Sequence, residues 1–241
     1  PEDINANTAG NALAILLPLS AGAAVYSWRG VRAQRDPALA FALALALTLA
    51  SALAFAALLL TASRGAWIGL AAGAAAAFAA GLLGRRLAAR STALGATLVV
   101  FALLAGGMLA VFASPAVAAR LGSVGGAGGS ALGRGILWRD MLAQIGDYPF
   151  TGSGLAATMM VDATYFRLLH VGFITHAHNL YLQIAVEQGL IGLAAFVGIL
   201  AAALCGLFRA AGAGRSQGGA IRIFALAGIA ALVAQCVHGL V

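Results

Sequence analysis

Apolar residues run along this chain in long unbroken blocks rather than in alternation, and the polar residues between the blocks mark where each one ends. Ala9–Tyr26 is the first block. About 18 residues at ~1.5 Å of rise each give ~27 Å, enough to cross bilayer hydrocarbon as a helix. Asn5, Asn7 and Thr8 ahead of it are residue types that cap helix N-termini. Arg29, Arg32 and Arg35 follow, and Asp36-Pro37 closes that loop before Ala38–Ala62, a run long enough to span with tilt. A very short turn, Ser63-Arg64-Gly65, leads into Ala66–Leu83; Arg85, Arg86 and Arg90 separate that block from Thr92–Ala113. Ser114–His178 is a long polar excursion. Leu180–Phe208, whose apolar part begins at Gly189, and Ile221–Val241 complete about six predicted membrane helices. The pattern predicts an all-α, polytopic transmembrane bundle: four membrane helices over residues 1–113, an extramembrane loop over 114–179 and two further helices over 180–241.

Composition agrees, because 62% hydrophobic residues, 9% charged residues and a mean hydropathy of +0.98 exclude a water-soluble globule. The net charge of +7 is carried by arginine alone, there being no lysine, and its placement decides its meaning. Alternating the six segments puts Arg29, Arg32, Arg35, Arg85, Arg86, Arg90, Arg209, Arg215 and Arg222 on one side with the single acid Asp36. Arg64, Arg120, Arg134, Arg139 and Arg167 fall on the other with Glu2, Asp3, Asp140, Asp147, Asp162 and Glu187, so the sides carry +8 and −1. The positive-inside rule then makes the nine-arginine side cytoplasmic and turns the long loop outward. No basic patch is left for nucleic acid. The chain starts at Pro1 with no methionine or charged n-region ahead of it, and the expectation is a fragment whose earlier helices are missing.

Inside the long loop, Gly122–Gly129 lacks the Lys and Ser/Thr of a phosphate cradle and follows a membrane helix, so it reads as a linker. Arg134–Gly146 carries Ile136, Leu137, Met141, Leu142 and Ile145 at helical spacing and predicts a short amphipathic helix ended near Tyr148-Pro149. Gly152-Ser153-Gly154 lacks the five-residue nucleophile-elbow pattern and reads as a turn. His176 and His178 stand close together without a third ligand at supporting spacing, so no metal site is expected. Cys205 and Cys236 lie at different depths of their helices, ~15 residues or about 22 Å of rise into the last one for Cys236, too far apart for a disulfide.

Four groups of residues together carry a resemblance. They are Asn5-x-Asn7-Thr8-Ala9-Gly10; Thr61-Ala62-Ser63-Arg64-Gly65-Ala66-Trp67; Arg134-x-x-x-Trp138 running on to Tyr148-Pro149-Phe150-Thr151-Gly152-Ser153-Gly154; and His178-Asn179-Leu180-Tyr181-Leu182-Gln183 with Glu187-x-Gly189-Leu190-Ile191-Gly192. In this order and topology the chain resembles the O-antigen ligase and polymerase superfamily of bacterial envelope enzymes. The resemblance implies a multi-pass protein of the inner membrane, a glycosyltransferase that takes a glycan from undecaprenyl pyrophosphate on the periplasmic side, without cofactor or metal. The acceptor it implies is a hydroxyl of lipid A–core, of a growing polysaccharide or of a protein. Members usually have about twice as many helices, in line with a fragment.

Such a reaction builds negative charge on a pyrophosphate leaving group, which fixed cations stabilise, and arginine suits because its planar fork binds phosphate oxygens bidentately. Arg64 in its tight turn and Arg134 at the start of the amphipathic helix are the candidates, each with catalytic and substrate-binding roles. His178, at the re-entry of the loop into the membrane, is the candidate base toward the acceptor hydroxyl or donor to pyrophosphate. Trp138, Asn179 and Glu187, in the same motifs, complete the expected substrate-binding set; for Glu187 a structural ion pair competes with a role in the site. His170 and His238 are expected to be structural, and Arg139 to face a neighbouring acid. A transporter or flippase-like carrier is the competing class, and paired helix breaks with a polar site at mid-membrane would mark it.

Overall fold

A computed structural model describes residues 5–31, 36–84, 86, 90–113, 131–155, 177–213 and 219–240, with the backbone alone described at 90, 104, 105, 107–113 and 131–136. Seven α-helices carry these residues: α1 Ala6–Gly30, α2 Pro37–Leu60, α3 Arg64–Leu83, α4 Arg90–Ala113, α5 Ala131–Asp147, α6 Leu180–Ala213 and α7 Gly219–His238. There is no strand among the described residues. The six predicted membrane segments fall on α1–α4, α6 and α7, and the predicted amphipathic helix on α5. Five of them, α1, α2, α3, α6 and α7, are long and apolar enough to cross a membrane, and α4 adds the shorter apolar stretch Ser91–Leu103. The protein is therefore a multi-pass helical membrane protein. The glycine-rich stretch 122–129, His170 and His176 lie outside the described residues.

Two compact units make up the chain, one from Pro1–Leu104 with Ala201–His238, the other from Ala105–Leu200 with Gly239–Val241. In the first, α7 packs against both α3 and α1, and α1 against α2. Many large side chains face out, Leu53, Leu60, Phe78 and Leu82 among them, with Leu60 as much as 85% exposed, while Leu58, Leu204 and Ile229 are buried. Small ones fill the seams. This is the distribution a lipid solvent demands, because lipid tails solvate leucine well and helices gain by close backbone approach instead. At Gly73 a Cβ would lie 2.1 Å from the Ala230 carbonyl oxygen, and at Gly69 2.6 Å from that of Ala234, so only glycine lets α3 and α7 lie this close.

Hydrogen bonds fix the ends of these helices. Asp36 Oδ1 accepts from the N–H groups of Ala38 and Leu39, both at 3.1 Å, and caps α2 ahead of Pro37. Arg222 donates from Nη2 to the Gly81 carbonyl at 2.7 Å, a cation on the C-terminal turn of α3 where its dipole favours one. Ser51 donates to Ser20 Oγ at 2.9 Å and ties α2 to α1. Cys205 and Cys236 are both free thiols, Cys236 buried and Cys205 half-buried.

Candidate active site

In the first unit the candidate region is the α2–α3 turn. Ala62 takes a left-handed conformation, φ +51°, and Ser63 rather than Arg64 ends the turn. The Trp67 N–H already bonds to the Ser63 carbonyl at 3.1 Å, which makes Arg64 the first residue of α3. The sequence places Arg64 within the turn; the helix begins two residues ahead of its apolar block, with Ser63 at the N-cap position. The indole of Trp67 donates to the Leu58 carbonyl at 3.1 Å, and Thr61 Oγ1 donates to the same carbonyl at 2.7 Å, so the C-terminal turn of α2 is closed by side chains. Asn5 caps α1 by accepting the Asn7 N–H at 2.9 Å. Gly10 lies against the turn, where a Cβ would come within 2.7 Å of Ser63 Cβ. The exposed Arg64 guanidinium therefore stands on a rigid support at the N-terminus of its helix, an end that attracts anions in its own right.

In the second unit α5 packs its stripe of Leu137, Trp138, Met141 and Ile145 against Ala177, Leu182 and Val186. Trp138 is almost fully buried, and a buried indole needs an acceptor; it donates to the Ala177 carbonyl at 3.0 Å. The Ala177 N–H in turn donates to Gln183 Oε1 at 2.7 Å, and Gln183 Nε2 donates to Glu187 Oε1 at 2.6 Å. Asn179 caps α6, its Oδ1 accepting the N–H groups of Tyr181 and Leu182, both at 3.0 Å, while its Nδ2 donates to the Leu240 carbonyl at 3.2 Å. The amide of Asn179 is thus committed to the fold, and the Trp138 indole N–H points into the core. Between the clamped Ala177 and the capping Asn179 sits His178, exposed, with φ +51°. A left-handed backbone at a non-glycine residue costs energy, and it persists where neighbouring bonds over-determine it.

Arg134 lies on the first turn of α5, its side chain outside the described residues. Partial burial pushes the Asp140 carboxyl above its usual range, and the charge of the neighbouring Arg139 opposes that rise. His178, Trp138, Asn179 and Glu187 therefore share one local framework, to which Gln183, not singled out by its residue type, supplies the central link. Its signal was positional: a glutamine one turn before Glu187 on the same helix face can bridge i to i+4.

The sequence reads Leu180 onward as one continuous helix, and here the structure differs. Gly189 has φ +71° and ψ −177° inside α6, a break in the helix. Breaking a helix orphans backbone groups, and in an apolar setting each must find a partner. The segment Pro149–Gly154 supplies partners for three of them. Leu190 N–H turns away from Val186 and donates to the Pro149 carbonyl at 2.7 Å; Val186 O accepts Ser153 N–H at 2.8 Å and Ser153 Oγ at 3.1 Å; Glu187 O accepts Gly154 N–H at 3.1 Å. Contact is so close that a Cβ on Gly189 would lie 2.2 Å from Phe150 O, and one on Gly152 2.4 Å from Glu187 C. The Ser153 hydroxyl is thus a structural donor, as the turn reading of Gly152-Ser153-Gly154 requires. We expect Gly189→Ala to lose about 2–4 kcal/mol through its left-handed φ and this overlap. A thermal melt in detergent, with Gly198→Ala as the control at a position with open space around it, checks this; equal melting temperatures would show the break to be dispensable.

A family model described as O-Antigen ligase matches residues 49–197, well over half of the 241-residue chain. The chain belongs to the O-antigen ligase family. Neither a curated protein nor a solved structure matches it. The family match begins within α2 and ends within α6, so it contains Arg64, Arg134, Trp138, His178, Asn179 and Glu187, while Asn5–Gly10 lies ahead of it. Membership makes this a membrane protein of the ligase and polymerase superfamily, of glycosyltransferase type. Within the O-antigen ligase match, the Pro149–Gly154 and Glu187–Gly189 motifs are the two halves of one docked break.

Proposed function

We propose that this protein transfers a glycan from undecaprenyl pyrophosphate to an acceptor hydroxyl on the periplasmic face of the bacterial inner membrane. The observation that carries the reading is the backbone at His178: an exposed imidazole held in a strained conformation by bonds on both flanking residues. A strained backbone at an exposed residue, held there by its neighbours, supports a working role for the side chain. In the reaction the acceptor oxygen attacks the anomeric carbon, the bond from that carbon to the phosphate oxygen breaks, and the acceptor proton passes to His178 Nδ1 or Nε2. The pair of electrons leaves with undecaprenyl pyrophosphate. Arg134 is assigned to that leaving charge from its place in the R-x-x-x-W motif, and Arg64 from its place on a helix N-terminus, where anion binding gains from the guanidinium and the α3 amides together. Metal independence rests on the family resemblance and on the scatter of acids along the sequence. Glu187, through Gln183, positions the Ala177 peptide rather than touching substrate.

A carrier without chemistry would use a helix break as a site, leaving backbone groups to bind cargo. At Gly189 three of those groups, Leu190 N–H and the Val186 and Glu187 carbonyls, are filled by Pro149–Gly154, which favours the enzyme. A polymerase of the same superfamily would use the same donor and differ in acceptor. The test is incubation of the purified protein with lipid-linked glycan and either lipid A–core or free-ended polysaccharide. Consumption of donor without a transferred product would defeat the transferase reading. Orientation rests on the nine-to-five arginine split. In a background lacking Cys205 and Cys236, cysteines at 125 and 153 should react with an impermeant thiol reagent added to the periplasmic side, and one at 217 should not. The reverse pattern would invert the topology.

A further inference from the structure

At the end of the first unit opposite the Arg64 turn, α1, α2 and α7 enclose a cavity of about 580 Å³. Its lining divides by chemistry. Leu39, Leu43 and Ile223 form an apolar wall, whereas Tyr26, Ser27 and Arg29, with Gly219 and Ala220 at the start of α7, form a polar one. Arg29 is exposed, and its Nη1 lies 3.6 Å from the position a Cβ on Gly219 would take. The guanidinium therefore stands at the N-terminus of α7, whose first N–H groups have no acceptor inside the helix and which carries the positive end of the helix dipole.

The Arg29 guanidinium and the positive end of α7 lie side by side next to apolar walls, a pairing that favours an anion between them. The one acid in the lining, Asp36, is engaged elsewhere, its Oδ1 accepting two amides of α2. No ion-pair partner of Arg29 is present among the described residues. A soluble anion would satisfy the polar wall but leave Leu39, Leu43 and Ile223 against water; an amphiphile satisfies both. The surroundings are those of a membrane interface, with Tyr26 packed on Phe224 at 5.6 Å and Trp28 edge-on to Phe41 at 5.4 Å.

We propose that this cavity binds an anionic membrane phospholipid, its phosphate held between Arg29 and the α7 N-terminal amides and one acyl chain lying along Leu39, Leu43 and Ile223. Basic pockets between membrane helices take such headgroups. The inference stands independently of the transfer reaction, since none of these residues belongs to the proposed active site.

The test is native mass spectrometry of the purified full chain in detergent with phosphatidylglycerol, with phosphatidylethanolamine of the same acyl chains, and with inorganic phosphate as competitor. Arg29→Gln should weaken phosphatidylglycerol retention about tenfold, the loss of one charge-assisted contact. Ala40→Phe should do the same by filling the cavity while keeping every charge, so a folding failure of either variant leaves the other decisive. Arg86→Gln removes an equal charge from an exposed position outside the lining and should retain lipid like the wild type. Equal retention by Arg29→Gln and Arg86→Gln, equal retention of the two lipids, or full displacement by inorganic phosphate would each overturn the proposal.

Discussion

Substituting His178 by alanine should lower glycan transfer by ~10²–10⁴-fold, the range for losing a general base, with unchanged helical content and membrane expression. His176→Ala and His170→Ala should stay within a small factor of the wild type. Because φ at His178 is +51°, alanine also strains the backbone, and a decisive partner is His178→Asn. Asparagine tolerates the left-handed region but has no proton acceptor of imidazole basicity, so it should fold well and remain inactive. If His178 takes the acceptor proton, activity rises with pH across roughly pH 5–8, where histidine side chains change charge, since only the neutral ring has a free lone pair. If it works instead as a cationic donor to pyrophosphate, the slope reverses. An active His178→Asn enzyme would remove His178 from the mechanism, and a His176→Ala enzyme as inactive as His178→Ala would move the role to its neighbour.

The elements of this fold were legible because bilayer thickness imposes a length on every apolar run, and only helices satisfy their own backbone at that depth. Six apolar blocks became six helices. Gly189 was not legible. The apolar part of its block begins at Gly189 itself, and a glycine there looks like Gly73, which serves close packing with helical geometry. What separates the two is a partner some 35 residues earlier in the chain, Pro149–Gly154, and hydrophobic periodicity carries no record of a backbone-to-backbone pairing at that separation. The same blindness affected the motifs. Tyr148–Gly154 and Glu187–Gly192 read as two markers of a functional region, whereas the structure makes them complementary halves of one joint.

Within the site, the sequence reading placed Asn179 and Trp138 among the substrate-binding residues, and general rules account for the structural bonds they make. An asparagine immediately before an apolar helix is first of all an N-cap, and an indole on the buried stripe of an amphipathic helix must find an acceptor. Gln183 and the Ala177 peptide could not be reached that way, because their importance lies in a chain of bonds from α5 to α6 that no single motif encodes. These residues hold His178 in place, and they are positioning residues. In the proposed reaction the catalytic roles are assigned instead to His178, Arg64 and Arg134.

For the two arginines, Arg64→Ala and Arg134→Ala should each reduce transfer by ~10²–10³-fold, the loss expected when one preorganised donor to a developing oxyanion is removed. Lysine at either position should restore only part of the rate, since a point charge cannot match the bidentate fork. Arg64 offers a way to separate chemistry from structure. It is the first residue of α3, where a cation opposes the helix dipole by about 0.3–1 kcal/mol, so on dipole grounds alanine there should leave thermal stability unchanged or slightly raised while activity collapses. A residue kept for folding would show the opposite pair of effects. Chelator added to the wild-type assay should change nothing; inactivation reversed by one divalent metal would transfer the countercharge from the arginines to that metal. Near-normal turnover in both alanine variants, measured on lipid-linked glycan with acceptor in excess, would dispose of the arginine assignment while leaving the helix break and the His178 framework as they stand.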